Sequence, residues 1–167
     1  MIGSVKKILK PMVRGIFDFG ISEYERRTER RLSDISCQLS QIEQKRLFLT
    51  YKQMLAEKRL PQIKDVGFRA FSQTDEDGIL LYLFSLIGTT NKICVDLAFE
   101  SPFGANTSNL ICNWGWSGFL ICGSDANVTF SKNFFLSNPD TKLSPPLILK
   151  KWITAENIND ILFENGL

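Results

Sequence analysis

The chain contains no histidine. That excludes a Ser-His-Asp or Cys-His nucleophile system and any histidine-ligated metal site. Cysteine is sparse: the four thiols are Cys37, Cys94, Cys112 and Cys122, and no pair has a C-x-x-C spacing. No metal centre or dithiol redox site is therefore expected. Cys94 and Cys122 lie inside apolar, strand-like runs, where a thiol behaves as a small hydrophobe. Long hydrophobic runs are also missing, so no stretch is expected to span a bilayer. Pro11, Arg14 and Asp18 interrupt the early apolar residues that a secretory signal would need unbroken. Together these absences point to a reducing, cytoplasmic setting, with attachment to a membrane surface as the one peripheral alternative.

Across 167 residues the hydrophobic content is 44%, ordinary for a protein with a packed core. The net charge of +2 conceals an asymmetry. Residues 1–64 carry 14 Lys/Arg against 7 Asp/Glu, whereas residues 65–167 carry 6 against 11. A basic helical extension over 1–64 and an acidic globular domain over 65–167 are the expected division. Nucleic acid is not an expected partner, because basic helices are more often simply solvated.

Residues 2–19 place Ile2, Val5, Leu9, Met12, Ile16 and Phe19 at helical spacing, with lysines and Arg14 between them. Pro11 is expected to kink or split this helix. Such a helix either lies in a membrane interface or docks on protein, and the interrupted stripe favours docking. Residues 22–59 form the longest helix candidate. Leu32, Ile35, Leu39 and Ile42 step by three, four and three, a short a/d seam that suits self-association or a protein partner. Pro61 then opens a linker over 61–71.

The rest alternates between helix and strand. A helix capped by Ser72 or Thr74 starts with Asp75, Glu76 and Asp77, suited to the positive end of its dipole, and ends at Gly88. Strand 92–99, helix 106–114, strand 117–122, helix 125–136, strand 147–152 and helix 154–165 follow. This order predicts an α/β fold with about three parallel strands. In such a sheet ligands lie beyond the carboxyl ends of the strands, here the loop 99–106 first. Asp96 either points into that cleft or accepts backbone N–H bonds nearby. Asn106 and Asn109 either cap the next helix or contact a ligand. Trp114, Trp116 and Trp152 read as packing residues rather than an adenine platform.

The runs Phe71-Ser-Gln-Thr-Asp-Glu-Asp-Gly-Ile79, Ser85-Leu-Ile-Gly-Thr-Thr-Asn-Lys92, Asn106-Thr-Ser-Asn-Leu110, Gly115-Trp-Ser-Gly118 and Trp152-Ile-Thr-Ala-Glu-Asn157 resemble FkbM-type S-adenosylmethionine-dependent methyltransferase domains. The resemblance covers roughly the last hundred residues. It implies the N-terminal half of a Rossmann-like methyltransferase sheet, with S-adenosylmethionine as cofactor. It also implies O-methylation of a sugar or small-metabolite hydroxyl as the family reaction. Asp96, Gly104, Asn106, Asn109 and Asp125 are the positions it assigns to cofactor binding. The chain departs from the family at Glu100 and Pro102, where glycines are usual, and at Cys122, where an acid usually grips the ribose. Those departures and the missing second half imply weak or absent activity. They leave a non-catalytic helical interaction protein, or a peripheral membrane adaptor, as the rival reading. The missing fourth strand is further expected to leave strand 92–99 as an open hydrophobic edge.

Overall fold

The structure is a computed structural model that describes residues 2–167, with side chains described from Ile21 onward apart from Arg30 and Ser33. Helix α1 runs Ile2–Ala56 without a break, so Pro11 does not split it and the two expected helices are one. The side chains of the 2–19 stripe lie outside the described residues. Two compact units divide within this helix, one ending at Lys45 and the other running Arg46–Leu167. The division expected from the sequence lay between residues 64 and 65. The break falls earlier because the last turns of α1 are anchored in the second unit: Tyr51 is buried and meets Tyr82 edge-on at 5.0 Å.

In the first unit Leu32, Ile35, Leu39 and Ile42 are each more than half exposed. Their spacing puts them on one face of a helix that α1 confirms. A single helix has no second element on which to bury that stripe.

The second unit is α/β. After a short 3₁₀ turn at Ile63–Asp65 come α2 (Glu76–Ile87), β1 (Ile93–Asp96), α3 (Asn106–Trp114), β2 (Ser117–Cys122), α4 (Asp125–Ser137), β3 (Leu147–Lys150) and α5 (Ile158–Glu164). The strands form one parallel sheet in the order β1-β2-β3. Val95 pairs with Phe119, and Leu120 with Ile148. This is the architecture of a partial Rossmann-like sheet.

Side-chain alternation assigns the two faces. Cys94, Leu120, Cys122 and Ile148 pack with Leu110, Ile111 and Cys112 of α3, Phe135 of α4, and Leu80 and Phe84 of α2. On the opposite face Phe119 and Ile121 pack with Ile161 of α5. Gly118 is required by this packing, since a Cβ there would lie 2.5 Å from Ile111 Cδ1 and 2.8 Å from Pro146 Cβ.

β1 pairs only with β2, so its other edge carries no strand among the described residues. Ile93, Val95 and Leu97 remain 40–44% exposed along it. Of the edge expected from the sequence over 92–99, Val95 and Leu97 are exposed, whereas Cys94 and Phe99 are buried in the core, and the strand is shorter. The strand stops at Asp96 because that carboxylate accepts the N–H of Ala98 at 3.2 Å and turns the chain.

The start of α2 is built around one carboxylate. Asp77 is almost fully buried, and its Oδ2 accepts the N–H groups of Ala70, Phe71 and Ser72 at 2.7, 2.6 and 2.8 Å. Ser72 returns a bond: its hydroxyl accepts the Asp77 N–H at 3.3 Å. Ser72 thus serves the helix start as expected, while the N-cap position itself, Asp75, makes no side-chain capping bond. Gly78 lets the preceding chain lie directly on the helix. A Cβ there would sit 2.3 Å from the Phe68 nitrogen and 2.4 Å from the Val66 oxygen.

Asp77→Ala should cost about 2–4 kcal/mol in denaturant unfolding, because three buried N–H donors lose their acceptor. Asp77→Asn should cost less, since its amide oxygen still accepts. Gly78→Ala should cost at least about 2 kcal/mol, because backbone rather than a pliable side chain must move. Equal stability of all three variants and the unmodified chain would refute this account.

The edge gives a residue-level expectation. Ser117 donates to the Lys92 carbonyl at 2.7 Å, which fixes the ladder so that Cys94 and Asp96 donate to β2 while Val95 donates outward. Hydrogen exchange on a verified monomer should find Cys94 and Asp96 protected and Val95 fast. Equal protection of all three amides in the monomer would mean that the edge is covered.

Candidate functional site

The candidate cleft lies just beyond the carboxyl end of β1, where the chain leaves the sheet and enters α3. It encloses about 300 Å³ and is lined by Gln73, Glu76, Asp96, Glu100, Gly104 and Asn106, with Phe99 and Phe103 among its apolar walls. Asp96, Gly104 and Asn106, three of the five positions expected at a cofactor site, therefore meet here.

Both readings of Asp96 hold together. It lines the cleft, and its carboxylate is anchored by the Ala98 N–H and by the Thr107 hydroxyl at 3.3 Å. Gly104 has φ +102°, a conformation that disfavours a side chain. Its N–H donates to the Phe71 carbonyl at 2.6 Å, and a Cβ would stand 3.2 Å from Gln73 Cγ. The single glycine of this loop thus serves the loop's own docking. Asn106 is the first residue of α3 and is exposed in the cleft. The cap position before it is Ala105, which brings no side-chain acceptor, so neither asparagine caps this helix. Asn109 is one turn deeper, buried, and accepts from Asn113 Nδ2 at 2.7 Å. It lines a different cavity, on the other side of α3.

Asp125 stands apart as well. It opens α4 beyond β2, is ion-paired with Lys150, and does not line the cleft. Both partners are more than half exposed, so the pair adds little stability. Ser124 caps α4 by accepting the Asn127 N–H at 3.4 Å. Cys122 ends β2 as expected, but its thiol is buried. It accepts the Ser124 N–H at 3.5 Å and donates to the Ser124 carbonyl at 3.6 Å. Pro102 is fully buried too, so it acts as a packing residue of the loop.

The electrostatics of the cleft are one-signed. Glu76, Asp96 and Glu100 line it, and no lysine or arginine does. The Glu76 carboxyl is held below its usual range, first by its own backbone N–H and then by the Thr74 hydroxyl. Burial, and then the Asp96 charge, push the neighbouring Cys94 thiol up to about 12, so it stays protonated at neutral pH. A site of this kind attracts ammonium or sulfonium groups and repels carboxylates and phosphates.

One residue departs from its expected role. Trp114 and Trp116 are half-buried, and their rings meet Phe48 at 5.2 Å and Phe84 at 4.8 Å. Trp152, by contrast, is 80% exposed. It follows β3, and its ring lies 3.4 Å from where a Gly123 Cβ would be, over the chain that leaves β2. Nothing in the sequence separates this tryptophan from the other two, because exposure depends on what lies across the sheet.

Among the described residues no group of three or more acidic or cysteine ligands is placed to hold a metal ion, and no helix is long and apolar enough to cross a membrane. Comparison with protein-family models, curated proteins and solved structures finds no match to this chain.

Proposed function

We propose that residues 65–167 are the cofactor-side half of an FkbM-type S-adenosylmethionine-dependent methyltransferase domain, with a cleft that holds the cofactor weakly. The observation that carries this reading is the meeting of Asp96, Gly104 and Asn106 beyond the carboxyl end of β1, at the amino end of α3. A ligand at that point meets unshared N–H groups of the helix. The three carboxylates suit the ammonium and sulfonium of the cofactor and oppose its carboxylate. Trp152 offers an exposed ring for an adenine at the far ends of β2 and β3. Cys122 leaves the ribose without its usual acid. Methyl transfer also needs an acceptor held in line with the sulfonium and a base for its proton.

Calorimetric titration tests this reading. The unmodified chain should bind S-adenosylmethionine with a dissociation constant well above micromolar. Glu100→Gln removes an exposed like charge without touching the core and should tighten binding about fivefold. Trp152→Ala should weaken whatever binding Glu100→Gln reveals. The methyltransferase reading fails if neither the unmodified chain nor Glu100→Gln gives heat at millimolar cofactor.

A second role is supported by the exposed stripe on α1. We infer that residues 22–59 associate with another helix, because Leu32, Ile35, Leu39 and Ile42 are all exposed along one face. Replacing Ile35 and Leu39 with Asp should abolish self-association in sedimentation equilibrium. A concentration-independent monomer mass for the unmodified chain would rule self-association out.

A further inference from the structure

A second cavity lies at the opposite end of β1. It encloses about 460 Å³ between the last turns of α1, the end of α2 and the end of α3, all within the second unit. That volume is in the range of sites that hold small organic ligands. Its walls are Phe48, Leu81, Phe84, Leu110, Trp114 and Trp116. Two cations stand among them, Lys52 and Lys92, and no acidic residue lines the cavity.

Both lysines are exposed, and both are held against the apolar wall. Lys92 Nζ donates to the Trp114 carbonyl at 3.1 Å. Lys52 Nζ lies 5.2 Å from the centre of the Phe48 ring. An ammonium has three donors, so each keeps capacity for an anion after these contacts. A ligand for such a site needs an apolar body for the aromatic walls and one negative group for the lysines. We propose that this cavity binds a single-chain amphiphile with an anionic head, of the fatty-acid kind. The chain lies among Phe84, Leu110, Trp114 and Trp116, and the head meets Lys52 and Lys92. This site shares no lining residue with the acidic cleft at the other end of β1, so it stands or falls independently of the cofactor reading.

The test uses the full chain and dodecanoate below its micellar concentration, read by calorimetry and by the fluorescence of Trp114 and Trp116. Dodecanoate should bind saturably, and dodecyltrimethylammonium, with the same chain and the opposite charge, at least about tenfold more weakly. Lys52→Glu should weaken dodecanoate about tenfold. Thr89→Trp, at an exposed position of the cavity wall, should block binding. Equal affinity for the two amphiphiles would overturn the proposal. So would dodecanoate binding that survives both substitutions unchanged. Co-sedimentation with phosphatidylserine vesicles without saturable binding of monomeric dodecanoate would overturn it in favour of a membrane surface. The comparison of the two headgroups needs no variant, so a variant that failed to fold would not shield the proposal.

Discussion

The second unit depends on the buried carboxylate of Asp77. Its Oδ2 gathers three consecutive backbone N–H groups, from Ala70, Phe71 and Ser72, into one acceptor. A carboxyl group this deeply buried is tolerable only when hydrogen bonds replace its hydration. Here Oδ2 takes them all, and Oδ1 is buried with no hydrogen-bond partner. The consequence travels outward. The fixed Phe71 carbonyl accepts the Gly104 N–H, and Ser72 bridges to Gly104. Gly104 in turn fixes the loop that carries Glu100 and delivers the chain to α3. The shape of the cleft is therefore set from a helix start that itself contributes only Gln73 and Glu76 to it.

The same argument explains why this loop holds a proline and a glutamate without losing its structure. Pro102 is fully buried and needs no N–H partner, so it fits a loop whose backbone bonds are made elsewhere. Glu100 faces solvent in the cleft and avoids the desolvation that a buried acid suffers. The loop is stable with both residues. What they alter is the ligand it admits, by removing one donor and adding one negative charge.

Much of the second unit is legible in the sequence, and the misses have local causes. Short continuous apolar runs locate all three strands: Phe119, Leu120 and Ile121 are buried on both faces of the middle strand, and Ile148 and Leu149 of the third pack on opposite faces of the sheet. The first strand ends early because Asp96 bonds its own downstream backbone. The last helix begins at Ile158 rather than 154, because Asn157 Oδ1 accepts the Thr154 N–H and Asn157 Nδ2 donates to the Trp152 carbonyl, holding a turn ahead of the helix. Pro11 does not divide α1, since a proline removes one helical bond and bends a helix without having to end it. For the site, Asp96, Gly104 and Asn106 are legible because strand-end loops are where ligands sit. Asn109 and Asp125 are not brought to the cleft, because their placement depends on a helix turn and on an ion pair that no spacing encodes.

The two ends of α3 tie the chemistry together. Acidic side chains cluster where Asn106 opens the helix, and Lys92 binds the carbonyl of Trp114 where it closes. This is the arrangement that favours a helix dipole at both ends. The charges of the cleft and of the aromatic cavity thus have a structural reason to exist before any ligand arrives. That sets a constraint on function at each end. An anion entering the cleft meets the carboxylates of Glu76, Asp96 and Glu100 beside the α3 amino terminus, so only a ligand that also carries a cation gains there. An anion entering the aromatic cavity meets Lys92, which already complements the helix, and Lys52, which lies against Phe48; both need only share their remaining donors. One nine-residue helix therefore separates a site that disfavours anions from one that draws them.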